Sequence, residues 1–173
     1  MNTRWLAAIL VVPAVCAEDL PRPGNYREWI YLSSGLGMTY GSAAQPSEHP
    51  AFDNVFVNPE AYRSFLKTGS WPDGTMFALE VRASASNGSI NRGGHYQSEV
   101  RALEIEAKRN GVWTFYGFAS PGAKSAKPLP RSAACYSCHA EHGAVDNTFV
   151  QFYPTLIEVA RAKGTYKEPP ARR

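Results

Sequence analysis

Two cysteines and a histidine near the C-terminus, Cys135, Cys138 and His139, form the sequence Cys-x-x-Cys-His. This is the attachment sequence for c-type haem. Its spacing lets two thiols on one helical turn reach the two vinyl groups of the porphyrin, and the next imidazole then lies beneath the iron as an axial ligand. The motif therefore predicts one covalently bound haem c, with His139 on the iron.

The same residues have two other uses in proteins. A thioredoxin-like redox pair begins a helix after a strand in a βαβ unit, and half of a zinc site needs two further ligands. Neither His49 nor His95 lies at a paired spacing, and His142 is next to the motif. The sequence therefore favours haem over both alternatives.

The N-terminal residues 1–17, "MNTRWLAAILVVPAVCA", have the layout of a secretory signal cleaved after Ala17, because one arginine precedes an apolar run and small residues. The run is too short to span a bilayer. Lipidation at Cys16 is the alternative, but Val15 is bulkier than the residue expected at such a site. We therefore expect a periplasmic protein in which residues 18–173 form a single domain.

Cleavage leaves the two motif cysteines as the whole cysteine content, and two cysteines three positions apart make a poor structural disulfide. The formal charge of +3 falls to +2 when Arg4 leaves with the signal. Lysine and arginine are scattered among acids, so the concentrated basic face of a nucleic-acid-binding protein is absent from the sequence.

The rest of the chain must position the motif. Its pattern predicts an antiparallel sheet with helices packed on it, which is an α+β fold. The segment "FDNVFVN" predicts a strand, and Asn58, Pro59 and Gly69 mark the cap, first position and end of a helix. An Asp-Gly turn precedes an alternating strand, and "RNG" joins a strand over 100–108 to the aromatic strand "VWTFYGF".

Two short helices are predicted at the C-terminal end. Ser132 can cap a helix that carries the haem motif. Pro154 can begin the last helix, and Gly164 ends it.

Alternation places Phe77 and Leu79 on one face of the strand after the Asp-Gly turn. On the following strand Val100, Ala102 and Glu104 share one face, together with Glu106. We expect Phe77 and Leu79 to line an apolar distal side of the haem.

The motif lies late in the chain, with 34 residues after His139 and no methionine among them. Upstream residues must therefore build the other side of the haem. Met38 and Met76 are the candidates for a sixth ligand, but Met76 points away from the Phe77 face and Met38 lies in a glycine-rich stretch. An open distal position, suited to small ligands, is the expectation that follows.

The order of "NYREW", "VFVNPEAY", "KTG" before "DGT", "WTFY", the haem motif and "FVQFYP" resembles the cytochrome P-460 family and its relatives, the cytochromes c′-beta. The resemblance covers about Asn25 to Gly164. It implies a predominantly β fold, a five-coordinate haem, a homodimer and a role with nitrogen oxides. In cross-linked members, which oxidise hydroxylamine, a lysine after the Asp-Gly-Thr turn is joined to the porphyrin.

The position that matches the cross-linking lysine is Leu79, and Lys67 lies in the preceding helix at a different family position. The resemblance also implies that Glu104 matches the carboxylate over the iron, as a distal base. The other interpretation of Glu104 is a solvated strand residue beside Glu106.

Three functions follow as hypotheses. The first is binding of nitric oxide or carbon monoxide, because an apolar pocket disfavours charged ligands. The second is hydroxylamine oxidation, with Glu104 as proton acceptor. The third is plain electron transfer by a haem that has a sixth protein ligand. A soluble cytochrome is the expected redox partner of the protein.

Overall fold

The computed structural model describes residues 18–40, 47 and 49–170. The predicted signal peptide, 1–17, lies outside the described residues, and so does the alternative of lipidation at Cys16. In the part of the chain that is described, no helix combines the length and apolar character needed to cross a membrane.

Most of the described chain folds into a five-stranded antiparallel sheet with α-helices and short segments packed on it. The strands are β1 (Leu20–Pro21), β2 (Ile30–Leu36), β3 (Phe52–Val57), β4 (Met76–Ala85), β5 (Tyr96–Arg109), β6 (Val112–Gly117) and β7 (Ser125–Ala126). The helices are α1 (Pro59–Thr68), α2 (Ala134–His142) and α3 (Pro154–Ala162). The sheet has the order β2-β3-β4-β5-β6, and β1 pairs with β7 separately. The predicted α+β fold is therefore confirmed.

The hairpin between β5 and β6 turns at Asn110 and Gly111, which both adopt left-handed backbone angles, with φ of 51° and 74°. Two consecutive positive φ angles are the requirement of the tight hairpin turn that Asn-Gly favours. The turn predicted from "RNG" is confirmed, and β5 is longer than the predicted 100–108.

A bulge in β5 changes one expected neighbourhood. The pairing with β4 passes from Val81–Ala102 to Arg82–Val100, so one residue of β5 is left over. Because a bulge interrupts the alternation of faces, Val100 lies opposite Arg82 and not on the face of Glu104. The prediction that Val100 flanks Glu104 is wrong for this reason.

Helix α1 has the predicted bounds: Pro59 is its first residue, and Gly69 ends it at φ 72°. Asn58 occupies the cap position, but its side chain bonds to the sheet instead, where Oδ1 accepts a hydrogen bond from the amide of Met76 at 2.8 Å. Asn58 therefore connects the start of α1 to the start of β4.

The C-terminal helices differ slightly from the prediction. Helix α2 begins at Ala134, and its cap position is Ala133 without a side-chain hydrogen bond, so the predicted Ser132 cap is wrong. Helix α3 begins at Pro154 as predicted and ends at Ala162, two residues before Gly164 at φ 70°.

Both faces of the sheet are buried. The front face, defined by the paired residues Val57, Phe77 and Glu106, packs against α1, α3 and the chain after α2. Its core contains Leu32, Val57, Ala61, Phe65, Trp71, Phe77, Trp113, Val145, Val150, Tyr153, Leu156 and Ala160. Trp71 donates a hydrogen bond from Nε1 to Thr148 Oγ1 at 2.9 Å, which ties the loop after α1 to the segment after α2.

The back face, defined by the paired residues Ala78 and Ile105, is covered by the N-terminal segment and β7. Its core contains Leu20, Tyr26, Trp29, Ala78, Leu103, Ile105, Ala107, Tyr116, Phe118 and Ala126. The central strands are thus buried on both sides, so the haem motif can approach the sheet only where the front face remains open.

Candidate haem site

Helix α2 presents both thiols of the motif. Cys135 and Cys138 are half-buried and free of disulfide bonds. Residues three positions apart lie on the same face of a helix, so both thiols point to one side of α2. Burial raises the pKa of the Cys138 thiol, and Cys135 and Glu141 raise it further. The raised pKa favours the protonated form of the Cys138 thiol.

His139 is held in one orientation by a backbone carbonyl. Its Nδ1 lies 2.8 Å from the carbonyl oxygen of Asn147. Because a carbonyl can only accept, Nδ1 carries the proton in this contact, and the lone pair of the neutral ring is on Nε2. This is the arrangement in which a histidine ligates a metal through Nε2 while its other nitrogen is fixed by a hydrogen bond.

The carbonyl comes from a tight turn between Val145 and Thr148, whose backbones bridge to each other. Its central residues, Asp146 and Asn147, have positive φ angles of 46° and 61°. Lys108 on β5 fixes this turn, because its Nζ donates to Asp146 Oδ2 at 2.6 Å and to the carbonyl of Trp71 at 2.8 Å. The sheet thereby sets the position of the group that orients His139.

Gly143, at the end of α2, allows the turn to approach the helix. A Cβ at this position would lie 2.6 Å from both the carbonyl carbon of Asn147 and the carbonyl oxygen of His139. Both contacts are with backbone, so neither can give way by a side-chain rotation. We expect Gly143→Ala to lower the free energy of unfolding by about 1–3 kcal/mol, as overpacking does.

Chemical denaturation of Gly143→Ala and of Gly122→Ala checks this expectation. Gly122 is the matched control, because a Cβ there meets nothing within 4 Å. Equal stability of the two variants would contradict the close packing of the turn on α2.

The imidazole of His139 also contacts two aromatic rings and a carboxylate. Its ring centroid lies 4.6 Å from that of Phe115 and 4.3 Å from that of Phe149. Oε1 of Glu106, a buried residue of β5, lies 3.5 Å from Nδ1. Burial alone would lower the pKa of His139, but Glu106 outweighs it and raises that pKa. The sequence analysis missed Glu106 in this position.

Leu79 and Glu104 lie beside each other on the front face. The register pairs Val55 with Leu79 and Leu79 with Glu104. Leu79 is half-buried, whereas Glu104 is exposed. The role of Glu104 as a distal base stays a prediction. Glu104 lies two positions from Glu106 on β5, so the two side chains share the front face. The charge of Glu104 also raises the pKa of His139, less strongly than Glu106 does.

Asp53 is a further acid near this face that sequence reasoning missed. It pairs with Val81 on β4. Burial raises the pKa of Asp53, and the charge of Glu104 raises it further. An aspartate on a strand gives no signal in the sequence that distinguishes it from a solvated one.

Phe77 does not line the open part of the front face. It is 4% exposed and packs in the core, edge-on to Trp71 at 4.8 Å and stacked on Tyr153 at 6.1 Å between ring centroids. We therefore correct its expected role in the distal lining. The alternation of side chains along β4 predicted the correct face of the sheet for Phe77. Helices α1 and α3 cover that face at the end of β4 where Phe77 lies.

The two methionines that are candidates for the sixth ligand of the iron lie in different parts of the fold. Met76 packs against the back-face core, as the sequence predicts. Met38 lies at the end of β2, with its sulfur over Gly35 and 4.0 Å from the hydroxyl of Tyr40. Met38 thus remains the one methionine of the described chain that the sheet does not separate from the motif.

A cavity of about 220 Å³ opens between β6 and α2, beside His139. Trp113, Arg131, Tyr136 and Asn147 are among its lining residues. This volume is below the ~300–1,000 Å³ of sites that enclose a drug-sized ligand. We therefore assign it no ligand.

The donor set fits a haem. Two free thiols and an imidazole with an available Nε2 come from one helix, and apolar Val55 and Leu79 lie on the sheet face nearby. Among the described residues, no group of three or more histidine, cysteine, aspartate or glutamate side chains is arranged to hold a metal ion.

The fold and the donor set fit a haem-binding cytochrome. A model of the family described as Cytochrome P460 matches residues 23–150, well over half of the 173-residue chain. The chain belongs to the cytochrome P460 family. A comparison with curated proteins gives no match.

Proposed function

We propose that the protein is an exported mono-haem c cytochrome with an open distal position on the iron, and that it binds nitric oxide. The observation that carries this proposal is the fixed orientation of His139. Its Nδ1 is committed to the Asn147 carbonyl, which leaves Nε2 for the iron, and the free thiols of Cys135 and Cys138 lie on the same helix. When bound, the haem supplies an iron atom that takes up neutral diatomic molecules such as NO or CO.

The residues nearest to Glu104 on the front face favour a neutral ligand. Val55 and Leu79 are half-buried and apolar, and an apolar lining disfavours charged ligands. The aliphatic side chain of Leu79 cannot form a bond from nitrogen to the porphyrin, so we expect attachment through Cys135 and Cys138 only.

Hydroxylamine oxidation is the second candidate, and one observation favours it. Glu104 is directly paired with Leu79, so its carboxylate adjoins the apolar residues of the front face. In this candidate function Glu104 acts as the proton acceptor. Loss of a general base typically lowers a rate by about 10²–10⁴-fold. The family resemblance ties this activity to the lysine cross-link, which Leu79 cannot make, so we rank nitric oxide binding first.

An anaerobic assay with hydroxylamine and an artificial electron acceptor separates these two candidates. We expect weak or no sustained turnover by the purified protein. Glu104→Gln should leave nitric oxide affinity unchanged, because a neutral diatomic ligand needs no base. Glu99→Gln is the matched control, since Glu99 is an exposed acid on the same strand.

Sustained turnover would contradict our ranking if it fell at least about 10²-fold in Glu104→Gln and was kept in Glu99→Gln. The protein would then be an enzyme despite Leu79.

The cellular setting that we propose follows from the sequence. Residues 1–17 direct export to the periplasm, and the domain then starts at Glu18. The family resemblance supports a homodimer, and electrons are exchanged with a soluble cytochrome. Mass spectrometry of the exported protein tests the cleavage site, and light scattering tests the dimer.

A further inference from the structure

Glu106 is a buried carboxyl group in an apolar neighbourhood. It pairs with Phe77 on β4 and with Phe115 on β6, and its neighbours in sequence, Ile105 and Ala107, belong to the back-face core. The residue is 8% exposed. A leucine or methionine would fill such a position at lower cost, because a buried polar group without a hydrogen bond is destabilising.

One oxygen of this carboxyl group is left without an ordinary hydrogen bond among the described residues. Its Oε1 is buried and lacks a hydrogen-bond partner within the described chain. Lys108, two residues along the same strand, does not supply one, because its Nζ bonds to Asp146 and to the carbonyl of Trp71. The nearest donor is Nδ1 of His139, at 3.5 Å from Oε1.

The proton on Nδ1 therefore has two acceptors. The carbonyl of Asn147 lies at 2.8 Å and Glu106 Oε1 at 3.5 Å, while Phe115 and Phe149 hold the ring between them. The carbonyl belongs to a turn tied to β5 through Asp146, and Glu106 belongs to β5 itself. The positions of both acceptors are therefore set by the same strand, β5.

We infer that Glu106 is a positioning residue for the axial ligand: it accepts from the Nδ1 proton of His139 and increases the electron donation of the imidazole to the haem iron. The inference rests on the proposed function, because it requires His139 to ligate the iron. Acceptors on the outer nitrogen of a ligating histidine fix the ring and raise its basicity. A more strongly donating ligand stabilises the oxidised iron, so Glu106 lowers the reduction potential.

Resonance Raman spectroscopy and a spectroelectrochemical titration test this inference on exported, haem-loaded protein. Two variants are compared with the unmodified protein: Glu106→Met removes the acceptor, and Glu106→Gln keeps a neutral acceptor of nearly the same shape. Glu99→Gln on the same strand is the control. Glu106→Met should lower the iron–histidine stretching frequency and raise the reduction potential, Glu106→Gln should lie between it and the unmodified protein, and Glu99→Gln should change neither.

The outcomes separate this inference from the proposed function. The band is recorded on the ferrous protein, where an iron–histidine stretch is visible only in five-coordinate haem. If the unmodified protein lacks the band, the proposed open position fails; if the band persists in His139→Ala, His139 is not the ligand and both the proposed function and the inference fail. If the band is present and both Glu106 variants retain its frequency and the potential, Glu106 has only a structural role and the inference alone is overturned. Should Glu106→Met fail to accumulate, Glu106→Gln carries the test by itself.

Discussion

Replacement of both Cys135 and Cys138 by serine leaves the exported protein without covalently bound haem. A serine hydroxyl at physiological pH does not form the thioether that links a cysteine to a porphyrin vinyl group, so the expected loss is complete. The thiols are free and lie on one side of α2, ready for this bond. Intact-mass measurement of denatured protein checks the result, because non-covalent haem is lost under those conditions.

Ser137→Ala provides the matched control. Ser137 lies between the two cysteines on the same helix, and its hydroxyl bonds only locally, to the carbonyl of Ala134 at 3.1 Å. This variant should carry one haem, as the unmodified protein does. Covalent haem in the double serine variant would contradict the proposal and would direct attention to another attachment, such as Lys67.

The second large effect concerns stability. Glu80→Ala should lower the free energy of unfolding by about 3 kcal/mol, since removal of one partner from a buried ionic pair costs about 3–5 kcal/mol and two of the partners here are partly exposed. Glu80 is 3% exposed on the back face and accepts hydrogen bonds from the Tyr26 hydroxyl and from Arg27 and Arg82. Its loss leaves the buried Tyr26 hydroxyl unsatisfied.

The same network predicts an acid dependence. Burial raises the pKa of Glu80, but the hydrogen bonds from Tyr26, Arg82 and Arg27 outweigh it and hold that pKa below its usual value. A lowered pKa in the folded state stabilises the protein above the unfolded-state value of about 4.3. This contribution is lost as the pH falls through the folded-state pKa. The difference in the free energy of unfolding between the unmodified protein and Glu80→Ala should therefore become smaller below about pH 4.

Urea denaturation at neutral and acidic pH measures both effects. Glu60→Ala is the control, because its ion pair with Arg63 is exposed and such pairs contribute about 0–1 kcal/mol. Equal losses of unfolding free energy in Glu80→Ala and Glu60→Ala would contradict the contribution of this network. So would a difference between Glu80→Ala and the unmodified protein that stays the same at acidic pH.

Local signals in the sequence predicted the parts of the fold that depend on neighbouring residues. The Asn110–Gly111 turn, the Pro59 start and Gly69 end of α1, and the helix that carries the haem motif follow from backbone preferences within a few positions. Alternation also gave the correct face for Leu79 and Glu104.

The features that sequence reasoning missed depend on contacts between distant segments. Alternation puts Glu104 and Glu106 on one face, but only the packing of α2 on β5 and β6 decides that Glu106 lies against His139. In the same way, α1 and α3 decide that Phe77 belongs to the core, and the bulge in β5 removes Val100 from the face of Glu104. No local pattern specifies these contacts.

Anaerobic titration of the ferrous protein with nitric oxide, followed by optical absorption, tests the open iron position most directly. We predict the spectrum of a five-coordinate haem before addition, and complete conversion at one nitric oxide per chain. A six-coordinate low-spin spectrum that persists as nitric oxide is added would contradict the account. It would show instead that a protein side chain, with Met38 as the candidate, occupies the sixth position of an electron-transfer cytochrome.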